Sequence, residues 1–182
     1  MRAENRIRRH GYHLMSLASV GIFCVALFGL LLMGLPWLSD WQPQATTWSR
    51  VAHVEWGLIR DMGTTGRRLL SLAFALWTLG YLLPLVALRR LGSALHRHEA
   101  LSRPVARAFA WLAHSLPAYA LLVLAQELLV AVACEIEGVR QIHVEADFGG
   151  VYLFLVACLC LYSVAHLMRL ATEAADDARS IV

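Results

Sequence analysis

The stretch "LMSLASVGIFCVALFGLLLMGLPWL", Leu14–Leu38, carries no charged residue. An α-helix rises about 1.5 Å per residue, so some 20 apolar residues cross a hydrocarbon layer of ~30 Å. This stretch is long enough to do so. The "RIRRH" before it is like the basic start of a secretory signal. Its apolar part outruns the ~7–15 residues of a signal core, and no convincing small-x-small cleavage pattern follows. A retained first helix is therefore expected.

Three further apolar blocks lie downstream. They are "LLSLAFALWTLGYLLPLVAL" from Leu69, a longer run from Val105 to Cys134, and "GVYLFLVACLCLYSVAHLMRL" from Gly150. None shows the alternation of a membrane β-strand, and in lipid only helices and closed barrels satisfy every backbone amide. The expected fold is all-α: one integral-membrane domain over residues 1–182, a four-helix bundle with spans at about 14–38, 69–91, 105–134 and 149–170. Composition agrees, with 59% apolar and 16% charged residues against roughly 25% charged in soluble domains.

Arginines orient the bundle. The N-terminus, the 88–104 connector with Arg107, and the C-terminal side hold eleven of them, including Arg89 and Arg90, while the other two connectors hold five. Both termini are thus expected in the cytoplasm of a bacterial inner membrane, although Arg67 and Arg68 beside the second span pull the other way. The connector "LRRLGSALHRHEALSRP", residues 88–104, then reads as a short basic inner turn whose arginines reach lipid phosphates. His96 and His98, two apart, make a poor helical metal pair. A net charge of +3 and the lack of a reading element exclude nucleic acid as a partner. Within residues 39–68, Trp48, Val51, Ala52, Leu58, Ile59 and Met62 recur at roughly helical spacing. An outer interfacial helix between spans one and two is expected there.

Cys24, Cys134, Cys158 and Cys160 lack disulfide or metal-ligand spacing and read as buried, inert thiols. No HExxH, GxSxG or phosphate-binding loop occurs, so no catalytic residue is named.

Ionisable groups at membrane depth are the natural site candidates. His114 lies about nine residues into the third span, roughly 14 Å deep, and His166 roughly 6 Å deep in the antiparallel fourth. The simpler expectation is hydrogen bonding to Ser115, Ser163, Tyr119 or Tyr162, with no cofactor. The alternative is a pair of axial ligands for haem b, with Ala110, Ala113 and Ala165 making room. Glu127 is expected near the outer interface, paired with Arg67, Arg68 or Arg140. It sits about 140° around the helix from His114, which weakens a proton relay. Glu173, Asp176 and Asp177 follow the last span and suit ion pairs to the basic connector or a docking epitope. Ala18, Gly21, Gly29 and Gly34 allow close helix contacts within the chain or with a partner.

From about Leu79 onward the chain resembles the domain-of-unknown-function 2975 family of small bacterial membrane proteins with four predicted helices. "LRRLGSALHRHEALSRPVARAFAWLAHSL" is similar to that family's inner loop, and "VAHLMRLATEAADDARSIV" to its acidic helix exit. The turn departs from the pattern, with His98, Glu99, Ala100 and Leu101 where relatives carry Gly and an aromatic. The resemblance implies four helices, brings no catalytic residues, and hints at signalling or stress roles. The functional expectation is a non-catalytic accessory, regulatory or interaction subunit, in contact with lipid and with a membrane-protein partner or a second copy. A haem-binding electron-transfer subunit and an oligomeric transporter are the alternatives.

Overall fold

The computed structural model describes residues 2–38, 62–98, 102–138 and 148–180. The fold is all-α, a four-helix bundle: α1 (Arg2–Gly34), closed by a short 3-10 turn at Leu35–Trp37, α2 (Thr64–Arg97), α3 (Arg103–Ile136) and α4 (Phe148–Ser180). Each contains a span of membrane-crossing length, from 27 residues in α4 to 34 in α2 and α3, with mean hydropathy of 1.9 to 2.4. The chain is a multi-pass integral membrane protein. The helices run well past the apolar blocks. In particular α2 continues through Arg97 and α3 begins at Arg103, so most of the basic connector is helix instead of a loose turn. The expected interfacial helix, save Met62, and Arg140 lie outside the described residues.

The chain divides into two compact units, one of Met1–Phe23, Leu82–Tyr119 and Phe148–Val182, the other of Cys24–Tyr81 and Ala120–Asp147.

In the first unit α1 and α2 touch backbone to backbone. A Cβ added to Gly92 would lie 2.7 Å from the Met15 nitrogen and 2.8 Å from the Gly11 carbonyl oxygen, and one on Gly11 would lie 2.8 Å from the His96 nitrogen. Lipid tails are as apolar as leucine, so burial against a neighbouring helix gains little over burial in lipid. Close packing must supply the attraction, and two facing glycines permit it. The His96 Nδ1–H donates to the Arg8 carbonyl at 3.2 Å, and its ring lies 5.9 Å from that of Tyr12. These contacts pin the ends of both helices.

In the same unit α4 docks by one narrow seam. Cys158, Ala165 and Thr172 are buried, seven residues apart. Phe154, Leu161, Met168 and Ala175 between and beyond them are half-buried, and every other position from Val151 to Ala174 is exposed. Four-three alternation is the heptad spacing of left-handed helix pairs crossing at about 20°. Tyr119 meets Phe154 (ring centroids 6.4 Å) and His114 meets Tyr162 (5.3 Å). Since one number rises as the other falls, α3 and α4 are antiparallel.

The second unit holds a compact core of Leu32, Met62, Leu70, Ala73, Phe74, Val130 and Cys134. Thr78 covers Gly29, where any Cβ would collide with its side chain. Trp37 Nε1 donates to Ser71 Oγ (3.1 Å), which donates to the Met33 carbonyl (3.2 Å). At the far end of α3, Gly138 takes φ 71°, the left-handed cap that ends a helix without a Cβ clash. Glu137 beside it accepts a hydrogen bond from the Gly63 amide (3.0 Å). No acidic residue occupies the first turn of α2, so a carboxylate distant in sequence meets the positive end of its dipole.

Of the small residues expected to mediate contacts, Ala18 and Gly29 are buried, Gly21 faces Leu85, and Gly34 has nothing within 4 Å of an added Cβ. Cys134 and Cys158 are buried, whereas Cys24 and Cys160 are exposed on the outer surface, contrary to the reading of all four as buried.

Replacing Gly92 by Val forces the α1–α2 backbones apart. We expect it to destabilise the protein by about 1–3 kcal/mol, the usual cost of overpacking, whereas Gly34→Ala stays within about 0.5 kcal/mol of wild type. Thermal unfolding of the purified protein in detergent measures both; equal midpoints for the two variants would refute the contact.

Candidate functional site

The first unit carries two adjoining clefts, one between α3 and α4 and one along α3. One, of about 460 Å³, is lined by Arg103, Ala106, Arg107, Ala110, Ala165, Arg169, Thr172 and Glu173. The second, of about 360 Å³, is lined by Arg107, Ala110, Trp111 and His114. Arg107 and Ala110 border both.

Helix geometry explains the alignment. On α3 the positions 103, 107, 110 and 114 are spaced by three or four residues and therefore share a face, with 111 at its edge. On α4 the positions 165, 169 and 172 do the same, with 173 at the edge, running in the opposite direction. The alanines at 106, 110 and 165 have no side chain long enough to fill the space between the helices. Along α3 the lining of the two clefts runs from Arg103 to His114, about 16 Å along the helix axis for eleven residues.

The charged groups that line the first cleft are Arg103, Arg107, Arg169 and the carboxylate of Glu173. That carboxylate accepts a hydrogen bond from Arg169 Nε at 2.9 Å, with the two side chains 72% and 54% exposed. A pair so open to solvent contributes little stability, about 0–1 kcal/mol, but it fixes where both side chains point. The Thr172 hydroxyl is consumed by its own helix, donating to the Met168 carbonyl at 2.7 Å. The Arg90 guanidinium lies 5.3 Å from the centre of the Trp111 ring. A cation over an indole is held by the ring's quadrupole.

The other expected residues fall as follows. His114 and His166 are both exposed, not turned into the bundle interior. The His114 Nδ1–H donates to the Ala110 carbonyl at 2.6 Å, which leaves Nε2 as its open ring nitrogen. Its ring packs against Tyr162, one turn from His166, and no hydrogen bond or ring contact among the described residues joins the two histidines. Glu127 is half-buried in the second unit and is not without a partner. Arg89 and Arg90 are exposed at the end of α2, and Asp177 is exposed on α4. The side chain of Asp176 lies outside those described. Glu173 pairs with Arg169 of its own helix while lining the same cleft as Arg103 of the connector. Among the described residues no group of three or more His, Cys, Asp and Glu is placed to hold a metal ion.

Three features escape the sequence. Arg107 and Arg169 read there only as orienting charges, and their convergence depends on the antiparallel register of α3 and α4. Glu137 acts 74 positions away, on Gly63. The third feature is Gln126, which is 6% exposed at span depth. The buried hydroxyls of Thr78 and Ser115 bond to carbonyls in their own helices, at 2.8 and 2.7 Å. Gln126 makes no hydrogen bond among the described residues.

No family model matches the chain, and no curated protein or solved structure is similar to it.

A buried amide without a partner costs roughly 1–3 kcal/mol, and an apolar replacement of the same shape removes that cost. Gln126→Met should therefore leave the thermal midpoint unchanged or raise it. A clear fall, beyond the ~1.5 kcal/mol of a volume-conserving swap, would show that the amide is engaged.

Proposed function

We propose that the chain is a non-catalytic accessory, regulatory or interaction subunit of the bacterial inner membrane, with both termini cytoplasmic. The observation that carries this reading is the placement of α4. Only 6% of its span is buried, against 28% for α2, because the helix docks by a single seam of small and medium side chains. Most of its circumference is free for lateral contact. That surface presents Tyr152, Cys160, Tyr162, Ser163 and His166 among the leucines and valines, and polar side chains on the outside of a span are what helix–helix association in lipid employs. The concentration of arginine at the termini and at the α2–α3 turn supports the orientation. The likeness to the domain-of-unknown-function 2975 family in the α2–α3 turn and the α4 exit is part of this proposal, and with it a role in signalling or stress response.

Affinity purification of the full-length protein from native membranes in mild detergent tests it. A stoichiometric membrane companion or a second copy of the chain is expected, retained by wild type and lost when Tyr162 and His166 are both replaced by Leu. A monodisperse monomer carrying neither would overturn the proposal.

A second reading rests on the His114 imidazole, whose Nδ1 is tied to Ala110 and whose Nε2 is left for a ligand. With His166 one turn from Tyr162, that would suit a haem b on the α3–α4 surface. Purified protein would then show a Soret band that His166→Ala removes, and colourless protein from haem-supplemented cells counts against it.

A further inference from the structure

We propose that α4 is the interface through which two copies of this chain pair in the membrane, along a line of Tyr152, Val156, Leu159, Ser163, His166 and Leu170. The inference rests on the reading of the chain as an interaction subunit and names its partner. All six side chains are exposed. Their spacing of four, three, four, three and four repeats the heptad alternation of the seam that holds α4 to its own unit, on the opposite side of the helix. The helix therefore carries two contact lines, and the chain itself covers one of them.

The polar groups on the uncovered line point to what covers it. The hydroxyls of Thr78, Ser115 and Thr172 are each bonded to a carbonyl of their own helix. Those of Tyr152 and Ser163, and the ring nitrogens of His166, make no hydrogen bond among the described residues. Ser163 and His166 lie within the α4 span, where acyl chains offer them no partner, and helix association in lipid draws on such groups. A second copy satisfies them reciprocally. Copies inserted with the same orientation run their α4 helices parallel, so equal heights meet. In such a pair each side chain on the line enters a hole made by four residues of the facing helix. For Ser163 these are Leu159, Tyr162, Ser163 and His166 of the second copy. The Ser163 hydroxyl then donates to a ring nitrogen of the facing His166, and the two-fold axis repeats the bond in the other direction. Meeting at equal height would set like charges together, and the line carries no Asp, Glu or Arg from Tyr152 to Leu170. The charges beside its inner end, Arg169 and Glu173, are bonded to each other on the same helix.

Crosslinking in native membranes tests the pairing. In the full-length protein with the exposed Cys24 and Cys160 replaced by Ala, Leu159→Cys is expected to give a disulfide-linked species of twice the chain mass under copper-phenanthroline oxidation. Leu153→Cys, on another face and as exposed as Leu159 (67% against 68%), is expected to give none. In mild detergent, Ser163→Ala should weaken self-association about tenfold by sedimentation, because symmetry removes two interhelical hydrogen bonds worth roughly threefold each. Leu153→Ala should leave it at wild type. Crosslinking at both positions or at neither, or an unchanged dissociation constant in Ser163→Ala, would overturn the proposal. A stoichiometric membrane companion of different sequence, with no crosslink at residue 159, would overturn self-pairing and leave the subunit reading in place. A monomer with no companion would overturn both.

Discussion

Every backbone amide and carbonyl inside hydrocarbon must find its partner within the protein. That constraint governs the rest of this structure. It turns four apolar blocks into helices whose spans run from 27 to 34 residues, and it dictates how polar side chains behave once inside. The hydroxyls of Thr78, Ser115 and Thr172 each donate to a carbonyl three or four residues back in their own helix. Such bonds require no neighbour, so these residues can sit in a contact seam without demanding a partner from the facing helix. Pro84 and Pro117 press the same constraint from the other side. Each lies within a helix and withholds an amide from the carbonyl four residues earlier.

With backbone bonding satisfied within each helix except at the two prolines, the helices still have to find one another, and lipid removes the usual reason. Leucine gains little by leaving acyl chains for a protein surface. Attraction comes instead from fit, and the two ways of achieving it differ between helix pairs. In the first unit α1 and α2 meet through Gly11 and Gly92 at backbone contact, a geometry in which one methyl group is too many. In that unit α4 uses alternating four-three spacing, with Cys158, Ala165 and Thr172 at its centre. Small side chains there bring the helix close, but they bury little area and leave the flanks open. The cleft between α3 and α4 is lined by alanines at 106, 110 and 165, where longer side chains would take up the space.

Helix number and span position were legible in the sequence because hydropathy integrates over twenty residues and tolerates local error. Helix ends were less so. Hydropathy sees the polar "RRLGSALHR" after Ala87 as a connector, while the backbone sees good helix formers and continues to Arg97. The α4 seam was present in the letters, as Phe154, Cys158, Leu161, Ala165, Met168 and Thr172, yet nothing in an apolar block distinguishes a position that faces protein from one that faces lipid. The same blindness affected the cysteines: Cys24 and Cys160 are exposed, and a thiol is equally at home in lipid or in a core. Counting residues along a span assigns His114 and His166 a depth but no azimuth, which depends on how α3 and α4 are rotated about their axes.

The arginines meet the same limit. Counting them along the chain assigns a side of the membrane, a one-dimensional property that needs no fold. Their grouping is three-dimensional. Arg103 and Arg107 are one turn apart on α3, and Arg169 joins them only because an antiparallel neighbour returns 62 positions later at the same height. Glu173 then bonds to Arg169 of its own helix while lining the same cleft as Arg103 and Arg107, so the register of two antiparallel helices, which no count along the chain contains, decides which charges are neighbours.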